Sequence, residues 1–193
     1  FPPISTAPPL VGPQGDEVIK ALRILAEAKR PMLMAGTSVK WSNAQPQLNA
    51  FLAKTSLPAY ANGMGRGTVP RDSKHLFNRT RREALEAADV VVLAGTILDF
   101  RMAFGQSIPA SAKIVQLDMD NMLIGHNRAS HAALVGNLAV SFDALMREMD
   151  TQKIALDFSA YSAELRAKED AHNAKEKAKQ GSDAVPIEAD RLC

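Results

Sequence analysis

Apolar residues return at helical spacing from Val18 to Ala26, with Val18, Leu22, Leu25 and Ala26 on one face. The spacing predicts a helix that Asp16 caps, that Lys29-Arg30 suits at its negative end, and that Pro31 stops. Met32-Leu33-Met34-Ala35-Gly36 is apolar without alternation, as expected of a strand buried on both faces. Ser42 opens a second predicted helix, with Ala44, Leu48, Phe51 and Leu52 on one side. A short strand at Leu57–Tyr60 leads into a glycine-rich loop, and a third helix covers Thr80–Ala88. Val90–Ala94 reads as the clearest strand, followed by two more at Lys113–Leu117 and Ala132–Val135. Leu138, Phe142, Leu145, Met146 and Met149 mark the next helix.

Strands alternating with helices of this length predict right-handed crossovers and a parallel sheet covered on both faces. The expected fold class is α/β: a three-layer α/β/α, Rossmann-like, doubly wound parallel sheet of about six strands over residues 15–150. Residues 1–14 are rich in proline and glycine and read as an incoming linker. Residues 151–193 read as a charged helix over 155–180 and an outgoing linker. The helix's apolar face (Leu156, Ala160, Ala163, Ala167) buries little; Gly181 breaks it and Val185-Pro186-Ile187 resumes an extended course.

Composition narrows the function. A net charge of +2 gives no long-range attraction to nucleic acid or membranes, and 5% aromatic residues leave little for base stacking. Nowhere do about 18 apolar residues run together, so no membrane span is expected. The one cysteine, Cys193, cannot build a disulfide framework, which fits a cytoplasmic protein. The four histidines show no metal-ligand spacing, and no nucleophile elbow or phosphate-binding P-loop occurs, so no catalytic or metal residue is expected in this chain.

Ligands of open parallel sheets bind beyond the carboxyl ends of the strands, where strand order reverses. Two strands end alike, at Gly36-Thr37 and Gly95-Thr96. If they flank that point, Gly36 and Gly95 face each other across a crevice; both can also be turn glycines. The loop Asn62-Gly63-Met64-Gly65-Arg66-Gly67 either presents backbone N–H groups to a phosphate or is an ordinary turn. Asp118 and Asp120 follow a strand, where carboxylates often meet ribose hydroxyls. Arg66, Arg71, Lys74, Arg79, Arg81 and Arg82 stand against Asp72 in a basic stretch, which is a solvated face or an anion-binding surface.

The order of these features resembles a known family. Lys29-Arg30-Pro31-Met32-Leu33-Met34-Ala35-Gly36, Gly63-Met64-Gly65-Arg66-Gly67 with Pro70, and Ala87-Ala88-Asp89-Val90-Val91-Val92-Leu93-Ala94-Gly95 resemble successive motifs of the central domain of acetolactate-synthase-like thiamine-diphosphate enzymes. Asp99-Phe100-Arg101 with Phe104-Gly105, Lys113–Asp120, Ile124-Gly125-x-Asn127 and Leu134-Val135-Gly136-Asn137 continue the series, and the Asp99–Gly105 segment leans toward the benzaldehyde-lyase and acyl-CoA-lyase branch. The flanks resemble the connections to a pyrimidine-binding domain before and a diphosphate-binding domain after, so the chain reads as a piece of a longer enzyme.

The resemblance implies a parent transferase or lyase, a homodimer or homotetramer, that uses thiamine diphosphate and magnesium on 2-keto acids or related carbonyls. The piece alone is expected to be inactive. It also implies a middle domain that holds FAD, ADP or nothing, with contacts at Gly36, Thr37, Asn62, Gly63, Met64, Gly65, Gly95, Thr96, Ile97, Asp118, Met119, Asp120, Gly136 and Asn137. The sequence departs from the family pattern twice: Ile97 stands where the family has an arginine that approaches the nucleotide diphosphate, and Asn137 stands where it has an aspartate. The second reading is a free-standing nucleotide-binding or structural module.

Overall fold

A computed structural model describes residues 10–180. Residues 1–9 of the expected incoming linker, the break at Gly181, Val185-Pro186-Ile187 and Cys193 lie outside the described residues. Five strands, β1 (Pro31–Ala35), β2 (Ala59–Ala61), β3 (Val90–Ala94), β4 (Lys113–Asp118) and β5 (Ala132–Val135), form one sheet in the order β2-β1-β3-β4-β5. Every pairing is parallel. The described chain therefore has five strands where about six were expected. Each of the five matches an apolar run in the sequence, and the described residues hold no sixth strand.

Side chains alternate across the sheet, which gives two cores. Leu33, Ala35, Val90, Val92, Val115, Leu117 and Leu134 face one side. There they meet α1 (Gly15–Ala26), α3 (Gln45–Thr55) and α5 (Leu138–Gln152) through Leu22, Leu25, Leu48, Phe51, Phe142 and Leu145. Met32, Met34, Val91, Leu93 and Ile114 face the other side and meet α4 (Arg81–Ala87), a turn at Phe100–Gly105, and α6 (Ser159–Gln180). Burial on both faces is why the strand sequences carry no polar alternation.

Local chemistry shifts several boundaries. Ser42 ends a five-residue helix, α2 (Thr37–Trp41), rather than opening the next one. The second long helix starts at Gln45 with Pro46 in its first turn, where a missing N–H costs nothing. Gln14, not Asp16, is the cap residue of α1. Asp89 accepts the amides of Lys29 and Arg30 at 2.7 and 3.0 Å, which fastens the start of β3 to the start of β1.

The clearest correction concerns α6. Ala160, Ala163 and Ala167 are exposed, and the buried stripe is Tyr161, Leu165 and Glu169 at four-residue spacing. Larger side chains at these positions bury more area than alanine, so the helix turns them inward. Arg166 stacks its guanidinium 4.1 Å over the Phe77 ring and donates to the carbonyls of Lys74 and Leu76.

Glu169 is the anchor of that contact. Its carboxylate is 3% exposed and accepts the amides of Asn78, Arg79 and Thr80 and the Thr80 hydroxyl. It thereby satisfies the amides of the turn that leads into α4, ending at its cap residue Thr80, from a helix about ninety residues away. Burial raises the Glu169 pKa, but the donated hydrogen bonds outweigh it and hold the carboxyl below the usual range. A depressed folded pKa stabilises above the unfolded value, and that stabilisation is lost as pH falls through the folded one. Melting temperature is therefore expected to drop below roughly pH 4.3, the ordinary glutamate value. Glu169→Gln should flatten this acid limb and lower stability at pH 7 by about 1.5–3 kcal/mol, read by thermal circular dichroism across pH.

Candidate functional site

The carboxyl ends of β1 and β3 form the point where strand order reverses, because the chain leaves β1 toward β2 on one side and continues from β3 to β4 on the other. The two ends nearly touch. The Gly36 amide donates to the Ala94 carbonyl at 2.8 Å. A Cβ on Gly36 would lie 2.1 Å from the Gly95 carbonyl oxygen, closer than any real contact. Gly95 itself has φ of +62°, the left-handed region that glycine enters without strain. Thr96 locks the junction by donating its hydroxyl to the Met34 carbonyl at 2.9 Å.

Around this junction the structure brings together Gly36, Thr37, Asn62, Gly63, Gly95, Thr96 and Ile97, with Arg101 over them, about a cavity of about 20 Å³. That is room for roughly one water molecule. The amides of Thr37, Gly63, Thr96 and Ile97 donate to no other group among the described residues. Backbone donors without a partner around one cavity are groups that can take up an anion.

Arg101 lines the cavity with its guanidinium beside Gly63. Its guanidinium forks onto Asp99, whose carboxylate also accepts the Arg101 amide at 2.9 Å. The ion pair holds the Asp99 carboxyl below the usual range. Arg101 is exposed and Asp99 partly so, which makes the pair weak and exchangeable. Arg101 supplies a guanidinium to the crevice beside the apolar Ile97. The sequence reading quoted Asp99-Phe100-Arg101 as a motif but did not place it in the site. The available signal was an aspartate two residues before an arginine, which favours a tight turn.

The other candidate positions lie apart from the cavity. Gly65 is buried against the Ala35 carbonyl, and Met64 is partly exposed beside it. Asp118 is turned inward, 1% exposed, with Oδ1 accepting the Ser38 hydroxyl at 3.1 Å and the Asp120 amide at 3.2 Å. Burial pushes its carboxyl up despite these bonds, and Oδ2 is buried without a partner. Asp120 caps the turn at Asn121–Leu123, leaving Met119 exposed. Gly136 lies against the Val11 carbonyl. Asn137 accepts the amides of Ala139 and Val140 as the cap of α5, so the asparagine performs a role that a short acid also fills.

Among the described residues no group of three or more His, Cys, Asp or Glu could hold a metal ion. None of their helices is long and apolar enough to cross a membrane.

Residues 18–145 match the family described as the central domain of thiamine pyrophosphate enzymes. A probable acetolactate synthase of Mycobacterium bovis is 33% identical over 180 residues, covering 93% of this chain and 32% of the relative. The mouse 2-hydroxyacyl-CoA lyase 1 is 29% identical over 145 residues, covering 74% of this chain and 25% of the relative. The Xenopus laevis 2-hydroxyacyl-CoA lyase 2 is 28% identical over 190 residues, covering 94% and 29% respectively. The chain thus spans about a third, or less, of the length of these relatives.

The crowding at Gly36 gives a direct test. Gly36→Ala should destabilise the chain by about 3 kcal/mol, the upper range for overpacking, as measured by urea unfolding. Gly15→Ala, where a Cβ meets nothing within 4 Å, should cost nothing and add up to about 1 kcal/mol through helix propensity.

Proposed function

The chain belongs to the central-domain family of thiamine pyrophosphate enzymes, and from that membership we propose that it is the nucleotide-holding, non-catalytic middle domain of a longer enzyme. That enzyme acts on 2-keto acids or related carbonyls, by decarboxylation with carboligation or by C–C cleavage, as the acetolactate synthases and 2-hydroxyacyl-CoA lyases among its relatives suggest. Among the described residues no group of three or more His, Cys, Asp or Glu is placed to hold the metal that accompanies thiamine diphosphate. We assign that cofactor, and the step it supports, to other parts of the parent, which we take to be a homodimer or homotetramer.

We assign the phosphates of ADP or FAD to the crevice. The observation that carries this reading is that Thr37, Gly63, Thr96 and Ile97, whose amides have no partner among the described residues, line one cavity with Arg101. Backbone donors from three loops and a forked cation are the groups that recognise a diphosphate. The cavity as it stands is too small for a nucleotide, so binding requires the Arg101 arm to leave Asp99 and swing outward. An exposed ion pair costs little to open, and the same guanidinium then has a phosphate to pair with. Asp118, Asp120, Gly136 and Asn137 frame the crevice by holding the β4 and β5 ends rather than by touching the diphosphate.

Thermal unfolding of the chain with ADP, FAD and coenzyme A in turn tests the proposal. A nucleotide at about 100 times its dissociation constant should add roughly 2.7 kcal/mol, a rise of roughly 5–10 °C. Arg101→Gln should weaken the responding nucleotide about tenfold or more. No rise with any of the three would overturn the nucleotide assignment and leave this domain a scaffold.

A further inference from the structure

A second concavity lies on the outer side of Arg101, between α4 and the turn Phe100–Gly105, with a volume of about 660 Å³. That is the size of a small-molecule site. Four arginines line it: Arg79, Arg81, Arg82 and Arg101. Three have carboxylate partners, Arg79 with Glu176, Arg82 with Glu86 and Arg101 with Asp99. Arg81 has none among the described residues. Its guanidinium is half-buried, and the acceptor it reaches is the Met102 thioether, at 2.7 Å from Nη2. A thioether is a weak acceptor for one of five strong N–H donors. Burial and then the charge of Arg66 both press on this guanidinium and lower its pKa, so the protein holds it at a cost that no internal anion offsets.

The rest of the lining is polar at Glu86, Gln106 and Ser107, with Glu86 paired to Arg82, and apolar on the side nearest Arg81. Leu85 and Met102 form its buried side, and Phe100, 74% exposed, stands at the rim. The rim is held in place by strained backbone: Ala103 and Phe104 have φ of +47° and +51°, a region that residues other than glycine rarely occupy in succession. An unpaired cation beside an apolar wall and an exposed ring is the complement of an organic anion with a flat apolar body.

We propose that this cleft is a binding site for such an anion, separate from the crevice, with the oxyanion on Arg81 and the flat body against Phe100 and Met102. Phosphate and carboxylate head groups share the required chemistry, and their different charges separate them by affinity.

The test is amide NMR of the 193-residue chain titrated with phenyl phosphate and, separately, with 3-phenylpropionate. Saturable shifts confined to residues 81–86 and 100–107, with Gly63 and Thr96 unmoved, are the expected result for at least one probe. Arg81→Gln should weaken that probe tenfold or more, with Arg81→Lys between. Arg147→Gln, an exposed change on α5 against the opposite face of the sheet, should leave it unaltered. Phe100→Ala removes an exposed side chain and tests the site without touching the core; it should weaken phenyl phosphate at least threefold and leave inorganic phosphate unchanged. Shifts that do not saturate, equal losses in Arg81→Gln and Arg147→Gln, or shifts centred on Gly63 and Thr96 would each overturn the proposal.

Discussion

The contact between Gly36 and the Gly95 carbonyl sets the geometry on which the rest of the structure depends. With 2.1 Å between that oxygen and a hypothetical Cβ, no side chain fits, and the ends of β1 and β3 close to backbone distance. That approach lets Thr96 reach the Met34 carbonyl and brings the loops after β1, β2 and β3 to one point. The sheet order then makes this point the place where connections diverge, so its backbone donors are left without strands to pair with. A crevice with unspent N–H groups follows from packing before any ligand is considered.

The acidic residues show a complementary economy. Asp89 fastens two strand starts, Asp118 holds α2 against β4 through Ser38, and Glu169 caps α4 from the far end of the chain. Each carboxylate meets backbone or hydroxyl donors, and the two buried ones, Asp118 and Glu169, are tolerated because of them. Carboxylates are thus consumed by architecture, while Arg81 and Arg101 remain with weak or exchangeable partners. At the crevice and the cleft the groups with the weakest internal partners are backbone amides and these two guanidiniums, which favours anions.

Much of the fold was legible in the sequence because five apolar runs, buried on both faces, lack the polar alternation of a half-exposed strand. The crevice was legible in part: Gly36, Gly95 and the Asn62–Gly63 turn announce close backbone approach at strand ends. Arg101 was missed because its position depends on the turn at Phe100–Gly105, whose left-handed residues are alanine and phenylalanine and carry no glycine signal. The α6 face was misread because alanines at helical spacing count as apolar, while the helix in fact turns Tyr161, Leu165 and the fully satisfied Glu169 inward. Asp118 and Asp120 look like ribose ligands in one dimension, since the sequence cannot show that Ser38 and the Met122 amide already engage them.

Hydrogen–deuterium exchange of the chain, with and without saturating ADP or FAD, tests the central claim most directly. It reads the backbone donors themselves. If the crevice holds the diphosphate, exchange slows at Gly63, Thr96 and Ile97 with one of the nucleotides, and the amides of Ala139 and Val140, already capped by Asn137, are unchanged. Unaltered exchange at residues 62–65 and 95–97 at saturation, or protection centred instead on residues 118–122 and 136–137, would contradict it.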